Sequence, residues 1–541
     1  MKTMTMTMKK TVLALALLAT ATLSPAQSLQ LDSKALRLLD AQGQSLQDLS
    51  LRAKRWDQRA LPDGSRLALL QDADSAELLL VRARQGRMTV EARWPGPGFA
   101  VEQLCLYRDA QQGLLQVFLL GERGISEQWL LHEGRALPLR RLATPLEPAA
   151  CHVRDAEGRL YIAEPGVGLW AYGADAESEG RQLLQHLPEA DEDQAARALG
   201  DWLAAHAERP RAALPMVQAQ AQTTPVAGPG DAADDPAIWV HPRRPADSRI
   251  LATDKKRGLA VYDMQGREAQ FLPVGRINNV DLRQGLRYGT GKTLDLAVAT
   301  QRDEAGLVLF EIGSGGRVSE LARLPTGLSD IYGVCSGLNA SGGLDVFAND
   351  KDGRVQQIRL LRERHQGKDA WQGQLVREIK LASQPEGCVV DEATQQLFVG
   401  EERRGVWRLA LDRADSQPEL VIPVGPALQA DVEGLAIYQG GPGRRYLIVS
   451  SQGNDSYSVF DADAPHASRG AFRIGMNAGL GIDGVSETDG LDVSAANLGG
   501  AGGAYAEGLL VVQDGRKRLP QGTQNFKLLG WREVAKALGL R

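Results

Sequence analysis

The sequence predicts an all-β protein assembled from β-propeller blades, and three observations lead to this prediction. Short apolar runs, such as LDLAVAT, QLFVGE and RYLIVSS, are separated by Gly, Asp and Asn turns at a regular spacing. The 59 glycines and the scarcity of long helical patterns favour short strands joined by tight turns. Hairpins of a small-residue inner strand and an aromatic or charged outer strand recur without long crossovers, so a propeller fits better than a sandwich.

The chain contains a diverged internal duplication. The stretch CLYRDAQQGLLQVFLLGERG, which starts at Cys105, aligns with CSGLNASGGLDVFANDKDG, which starts at Cys335, with one inserted residue. A second pair of segments aligns Cys151 with Cys388 and tryptophan with tryptophan. Because the match spans several strand–turn–strand units in the same order, the two parts are predicted to share one architecture, with the first part abbreviated.

A chain of 541 residues is too long for one ordinary domain, so two domains are expected. We predict an incomplete, degenerate propeller-like domain with its linker at 27–210, and a complete propeller domain at 214–541 that folds and works alone. The segment 189–207 has the pattern of an amphipathic helix, and MVQAQAQTTPV at 216–226 alternates like the opening strand of the second domain.

The first 26 residues have the features of a cleavable secretory signal peptide. Lysines precede an apolar run at 12–23, and small residues follow it. The run is too short to span a bilayer, and no other segment approaches the necessary length. The mature protein is therefore expected to be exported and soluble, either in the periplasm or outside the cell.

Export leaves two interpretations of the four cysteines. Disulfides Cys105–Cys151 and Cys335–Cys388 are possible in an oxidising compartment. Each cysteine could equally be a buried free thiol at a strand position, and burial is the commonest fate of free cysteine. The free-thiol interpretation is the one favoured by the sequence alone.

The charge distribution excludes some partners and suggests others. The net charge is −5 and the chain has no basic run, so neither nucleic acid nor an anionic membrane is an expected partner. Acidic residues gather instead in IDGVSETDGLDV, where Asp483, Glu487, Asp489 and Asp492 repel one another unless cations neutralise them. Intervening glycines allow tight loops that converge oxygen ligands, which calcium prefers, although the spacing is not that of an EF-hand.

Three cations occupy equivalent positions in similar motifs. Lys255 in ATDKKRG, Arg302 in ATQRDE and Lys351 in ANDKDG each follow an apolar strand and precede a turn. A single turn cation is most often a solvated surface charge. Three of them facing abundant acids instead predict a site where metal ions and cations bind a multiply anionic ligand such as phosphate.

Nine motifs in order carry a family resemblance over residues 214–541. DDPAIWVHP, TDKKRGLAVYDMQGR, GRINNVDLR, IYGVCSGL, QPEGCVVD, DVEGLAIY, SSQGNDSYSVFD, DGVSETDGLDV and QNFKLLGW resemble the β-propeller (alkaline, calcium-dependent) phytases. The resemblance implies a six-bladed propeller and a 3-phytase, a phosphoric monoester hydrolase. It would act on the calcium complex of phytate, myo-inositol hexakisphosphate, with several Ca²⁺ ions and the cations at one end of the channel. A monomer is expected.

The resemblance also implies roles for individual residues. Phosphate would be bound by Lys255, Arg302, Lys351 and Tyr332. Calcium ligands would be Asp235, Glu386, Glu402, Asp431, Glu433, Asp483 and Asp489. In such a site, bridging calcium ions lower the pKa of a bound water, which attacks one phosphorus while a neighbouring phosphate is held at an adjacent site.

The chain departs from the usual family pattern at two positions, and its first part matches the second in scaffold residues but not in the site. Glu487 stands where aspartate is common, and Asp350 stands where a small residue precedes the turn lysine, which affects the expected local calcium geometry. In the internal alignment the site residues have no counterparts: Lys351 falls opposite Glu122, Arg302 opposite Asp72, Tyr332 opposite Glu102, Glu386 opposite Ala149 and Glu402 opposite Pro165. We therefore predict that the first part has no site of its own, with chance substitution in a diverged copy as the alternative.

Two other functions stay open from sequence alone. A calcium-dependent propeller hydrolase of another kind, such as a lactonase, would need the acid-lined channel but not three cations. A non-catalytic propeller would only bind a partner. The chain has neither the Arg-His-Gly-x-Arg motif nor the Cys-x5-Arg loop that supply the nucleophiles of histidine-acid and cysteine-based phosphatases.

Overall fold

The computed structural model describes residues 27–288, 292–365 and 368–541. The predicted signal peptide lies outside the described residues. The described chain divides into two compact units, which are residues 27–98 and Phe99–Arg541. Within the described ranges, no helix has both the length and the apolar character needed to cross a membrane.

The first unit consists of two antiparallel sheets in which sequential strands pair. The first sheet has three strands: β1 (Ser28–Leu31), β2 (Ala35–Leu39) and β3 (Ser45–Ser50). The second sheet has four strands: β4 (Ala53–Ala60), β5 (Arg66–Asp72), β6 (Leu78–Arg84) and β7 (Arg87–Trp94). Leu36, Leu70 and Val81 are fully buried in the core between the two sheets.

The second unit begins with two four-stranded sheets of blade type. The first comprises β8 (Val101–Arg108), β9 (Leu115–Gly121), β10 (Ile125–His132) and β11 (Arg135–Ala143). The second comprises β12 (Ala150–Arg154), β13 (Arg159–Glu164), β14 (Gly168–Gly173) and β15 (Arg181–His186). Helix α1 (Glu192–Ala205) follows inside the predicted segment, and it begins with a capping box in which Asp191 and Gln194 satisfy each other's backbone N–H groups.

The rest of the second unit is a ring of six sheets, preceded by two short strands, β16 (Met216–Gln218) and β17 (Ala221–Gln222). The first blade comprises β18 (Ala233–Trp239), β19 (Arg249–Asp254), β20 (Gly258–Tyr262) and β21 (Glu268–Leu272). The second blade comprises β22 (Ile277–Tyr288), β23 (Lys292–Gln301), β24 (Gly306–Ile312) and β25 (Val318–Pro325). The third blade comprises β26 (Ile331–Leu338), β27 (Leu344–Asp350), β28 (Arg354–His365) and β29 (Lys368–Lys380).

The next three blades complete the ring, and helix α2 (Trp531–Leu538) ends the chain. The fourth blade comprises β30 (Pro385–Asp391), β31 (Gln396–Glu401), β32 (Gly405–Ala410) and β33 (Glu419–Pro423). The fifth blade comprises β34 (Val432–Gln439), β35 (Arg445–Ser451), β36 (Ser456–Asp461) and β37 (Ser468–Gly475). The sixth blade comprises β38 (Leu491–Ser494), β39 (Leu509–Asp514) and β40 (Asn525–Gly530).

The innermost strands define a closed propeller. Strands β18, β22, β26, β30, β34 and β38 each contact the next, and β38 contacts β18. The early strand β17 pairs with the last strand β40, with Ala221 opposite Leu528, and β16 adds to the fifth blade in parallel with β37. The six-bladed propeller and the extra β region before it are confirmed, and an early segment of the chain closes the ring.

Apolar side chains between neighbouring blades form the cores. Between the first two blades, Trp239 and Val261 pack in one cluster with Val308 and Phe310, all of them fully buried. Burial of one such side chain contributes about 1.5–3 kcal/mol. The short apolar runs of the sequence therefore form strands whose alternate residues fill the spaces between blades.

Both cysteine pairs form disulfides, so the free-thiol interpretation is wrong. Cys105 on β8 is bonded to Cys151 on β12, and Cys335 on β26 is bonded to Cys388 on β30. Each bond joins the innermost strands of two successive sheets, at matching positions of the two aligned parts. This agreement supports the internal duplication, and disulfides of this kind are typical of an oxidising compartment.

The blade-type sheets before the propeller pack directly on it. One apolar cluster combines Leu130, Leu139 and Ala176 with Met476 and Leu519 of the propeller. The two parts of the second unit therefore share a buried interface.

Candidate active site at one end of the propeller channel

The candidate site lies where the innermost strands begin. Four of its residues stand second in an innermost strand: Asp234 in β18, Tyr332 in β26, Glu386 in β30 and Glu433 in β34. Asp489 lies two residues before β38. The innermost strands of a propeller all run in the same direction along the channel, so side chains at their beginnings converge on one end.

A glycine follows each of the last four of these residues, and it allows neighbouring strands to approach closely. A Cβ atom at Gly333 would lie 1.9 Å from the carbonyl oxygen of Glu386, and one at Gly387 would lie 2.2 Å from that of Glu433. At Gly434 and Gly490 the nearest atoms would lie 2.7 Å and 2.2 Å from an added Cβ. The backbone contact that these glycines permit brings the preceding acidic or tyrosine side chains together.

Three glutamates form a group that fits a divalent cation. Glu386, Glu402 and Glu433 each offer a carboxylate oxygen, and these oxygens lie within 4.8 Å of one another. Burial raises the pKa of Glu386 to about 7. Burial and the charge of Glu386 hold the pKa of Glu433 well above its usual range. Among the described residues, Glu433 Oε2 and Asp234 Oδ1 are buried without a hydrogen-bond partner. Converging, unsatisfied carboxylate oxygens are the donors that Ca²⁺ requires.

Lys255 lies within a second acidic group. Its Nζ is 2.8 Å from Asp231 Oδ1, 3.0 Å from Asp234 Oδ2 and 3.4 Å from Asp489 Oδ2. Burial lowers the pKa of Lys255, but the charges of Asp234 and Asp489 outweigh burial and raise it above its ordinary value. Gln452 Nε2 also donates to Asp489 Oδ1 at 2.7 Å. Lys255 is therefore a fully charged ammonium held between carboxylates.

Tyr332 is contacted by the other two predicted cations. The Lys351 Nζ lies 4.1 Å from the centroid of the tyrosine ring, and the Arg302 guanidinium carbon lies 5.3 Å from it. Arg302 Nη2 also lies 3.3 Å from Asp330 Oδ1. Burial, followed by the charge of Glu386, raises the pKa of Tyr332. The tyrosine therefore stays a neutral phenol beside both the cations and the glutamates.

One buried amide, which the sequence prediction missed, connects the acids to the cations. Asn278 Nδ2 donates to Glu386 Oε1 at 3.1 Å and to Asp234 Oδ2 at 3.4 Å, and its Oδ1 accepts from Arg302 Nη1 at 3.5 Å. Asp234 was noted in DDPAIW but not selected, because sequence alone does not show which of two adjacent acids faces the group. The signal available in the sequence was the pair Asn278–Asn279, two adjacent polar residues at the start of β22.

Asp235 faces the central channel. Its Oδ2 accepts from the Val280 backbone N–H at 3.1 Å, and it lines a cavity of about 280 Å³ together with Asp281, Arg283 and Asp492. Burial and the neighbouring Asp234 hold the pKa of Asp235 well above its usual range. Asp235 follows Asp234 on β18 and lines this cavity, so it is not part of the group formed by Glu386, Glu402 and Glu433.

The remaining two predicted ligands lie in different surroundings. Asp431 is half-buried near the glutamate group, where its charge adds to burial in raising the pKa of Glu402. Asp483 belongs to another buried cluster, in which Lys527 Nζ lies 3.0 Å from Asp483 Oδ1 and 2.6 Å from Asp514 Oδ2. The structure does not bring Asp483 to the glutamate group, and a lysine already compensates its charge.

The first part of the second unit matches the propeller in backbone but not in these side chains. Glu122 follows β9 as Lys351 follows β27, and Glu102 stands second in β8 as Tyr332 does in β26. Within the described ranges, the group of three convergent potential metal ligands is the one formed by the propeller glutamates.

Fold and site together define a six-bladed propeller with convergent carboxylates and cations at one end of its channel. The profile of the family described as Phytase matches residues 194–541. A 3-phytase of Bacillus subtilis (strain 168) is 36% identical over 337 residues, which are 60% of this chain and 85% of that relative. The chain belongs to the phytase family and is a phosphoric monoester hydrolase.

A solved structure of a functionally unknown protein from Desulfotomaculum acetoxidans DSM 771 is 8% identical. The match covers 74% of this chain and 94% of that chain with a TM-score of 0.29.

Proposed function

We propose that this chain is a calcium-dependent, exported phytase that releases inorganic phosphate from phytate by attack of an activated water. The observation that carries the proposal is the position of the Glu386–Glu402–Glu433 group beside Lys351 and Arg302. A cation bound by the glutamates and a phosphorylated ligand bound by the basic residues would share one surface. This arrangement suits phosphate transfer to water, in which negative charge must be neutralised at phosphorus.

Calcium would be held by Glu386, Glu402 and Glu433, and it would supply a water of lowered pKa. Lys351 and Arg302 would bind phosphate oxygens, because both cations lie against the ring of Tyr332, whose hydroxyl would add a donor. Asn278 would keep the Arg302 guanidinium directed towards this surface. Hydrolysis breaks the phosphorus–oxygen bond to the inositol ring, whose oxygen takes up a proton, and the water oxygen becomes part of the released phosphate.

The direct test of this proposal is phosphate release from phytate by the purified protein with added Ca²⁺. We expect inorganic phosphate and lower inositol phosphates. A simple lactone, assayed in parallel, tests the lactonase alternative, for which the three cations would have no role. Lactone opening without phosphate release would replace the proposal, and absence of both reactions would favour a propeller that only binds a partner.

The raised pKa of Glu386 predicts opposite effects of pH with and without calcium. The Glu386 carboxyl has an ordinary pKa of 4.5 in the unfolded chain and a pKa of about 7 in the folded protein. Between these two pH values the folded state therefore binds more protons than the unfolded state. The free energy of unfolding falls as pH rises through this window. The melting temperature in excess chelator should therefore decrease between about pH 5 and 8. Calcium affinity, which needs the carboxylate ionised, should increase over the same range.

Calorimetry and calcium titration across this range measure both quantities. A Glu386→Gln variant is the control, since it cannot titrate at this position and should show a shallower decrease of the melting temperature. A melting temperature of the chelated wild type that rises with pH would contradict the assignment of a largely protonated Glu386.

The two disulfides support the exported location. The predicted signal peptide would direct the export. Monomeric assembly and phytate as the substrate are parts of the same proposal.

A further inference from the structure

The loop 483–489, which lies between β37 and β38, carries Asp489 to the site. It contains neither strand nor helix, so contacts with other segments must hold its shape. Asp489 depends on this shape, because its carboxylate reaches both Lys255 and Gln452.

Glu177, from the sheets that precede the propeller, is buried directly against this loop. Only 6% of the residue is exposed, and its Oε2 accepts a hydrogen bond from Ser486 Oγ at 3.1 Å. A Cβ atom at Gly484 would lie 3.0 Å from Glu177 Cγ, so the glutamate lies on the loop backbone itself. The glycine is what leaves room for the side chain.

Two arginines of the turn after β39 contact both the loop 483–489 and the segment that carries Glu177. Arg516 Nη1 donates to the Glu177 carbonyl oxygen at 3.2 Å, and the Arg516 side chain also pairs with Glu487 of the loop. Arg518 Nη2 lies 2.7 Å from Glu179, and its backbone N–H donates to Asp483. The segment 175–179 and the loop are therefore held by a common pair of residues.

A short series of contacts leads from Glu177 to Asp489. The backbone N–H of Gly515 donates to the Ser486 carbonyl oxygen at 2.8 Å. The Asp489 N–H donates to Gln513 Oε1 at 2.9 Å. Ser486, Gly515 and Gln513 are thus part of one packed unit, and Glu177 covers its outer side.

We infer that Glu177 is a positioning residue that fixes the loop 483–489 and thereby the carboxylate of Asp489. It contacts neither the glutamate group nor Lys255, and it acts through Ser486. The part of the chain before the propeller thus contributes to the site despite lacking a site of its own. The inference rests on the proposed function and on Asp489 being one of the calcium ligands that the family resemblance implies.

The test uses the full chain with Glu177 replaced. In Glu177→Ala the Ser486 hydroxyl loses its acceptor and the loop loses the side chain that packs on it. Calcium affinity, measured by calorimetric titration without substrate, should then fall about tenfold, which is the lower end of the effects seen for residues that orient metal ligands. In Glu177→Gln the amide oxygen can still accept from Ser486, and calcium affinity should stay within about twofold of wild type. The matched control is Glu189→Ala, an exposed glutamate of the same part, which should leave affinity unchanged.

Each outcome bears on the inference. Wild-type calcium affinity in a folded Glu177→Ala protein overturns it and leaves the proposed function intact. Equal losses in the Ala and Gln variants also overturn it, because Gln preserves the hydrogen bond. If the Ala variant does not fold, Ser486→Ala removes the same bond from the other side and should weaken calcium binding. Absence of calcium binding by the wild type would overturn the proposed function and this inference together.

Discussion

Removal of calcium with excess chelator is expected to abolish phosphate release from phytate and to lower the melting temperature. The physical reason is the concentration of buried acids. Glu386, Glu433 and Asp489 all have raised pKa values because burial and mutual repulsion disfavour their charged forms. A cation bound by the folded state alone neutralises them and stabilises that state by mass action.

The measurement pairs a phosphate assay with differential scanning calorimetry, both at about pH 8, where calcium binding does not compete with protons. Restoring Ca²⁺ should recover both quantities, and Mg²⁺ serves as the control, because its smaller octahedral shell suits a flexible carboxylate cluster poorly. Full activity in chelator would refute the mechanism. An unchanged melting temperature would refute only the stabilising effect.

Replacement of Lys351 by methionine is expected to reduce turnover of phytate by at least about a hundredfold without loss of folding. Methionine keeps the length of the side chain and can still pack on the Tyr332 ring, which the ammonium now contacts at 4.1 Å. What it removes is the positive charge proposed to stabilise the developing charge on phosphate. The loss should therefore appear in kcat, while the melting temperature in calcium stays close to that of wild type.

Lys380→Met provides the matched control, because Lys380 is an exposed lysine in the same blade that pairs with Asp352. This variant should turn over phytate at the wild-type rate. Wild-type turnover in Lys351→Met would instead show that Lys351 is an ordinary solvated turn residue.

Local pattern was sufficient to predict the blades and the helix α1, and it pointed to acids and cations at the ends of strands. Residues such as Glu386 and Glu433 precede glycines at the beginnings of strands, and a propeller brings such positions together whatever the rest of the sequence does. The proximity of these acids to Lys351 and Arg302, at the same end of the channel, could be predicted for the same reason. Their roles in binding calcium and phosphate stay predictions until the variants above are measured.

Sequence reasoning was insufficient where a partner lies far away along the chain. Asp483 looked like a free acid in an acid-rich loop, but Lys527 on the last strand contacts it. Free thiols were favoured over the two disulfides, because the approach of Cys335 to Cys388 depends on the packing of two blades. The dependence of the loop on Glu177 was likewise hidden, since the boundary at residue 214 separated it from the propeller in our domain prediction.

The pairing of β17 with β40 also bears on how the protein is made. Ala221 and its partner Leu528 are separated by most of the propeller sequence, so five blades must emerge from the ribosome before the strand that joins the ends exists. Such distant pairing is slow, and unpaired strand edges favour association with other chains in the meantime. Loss of only the last two dozen residues would remove β40 and leave β17 without its partner strand, so a nearly full-length product of premature termination should aggregate rather than keep partial activity.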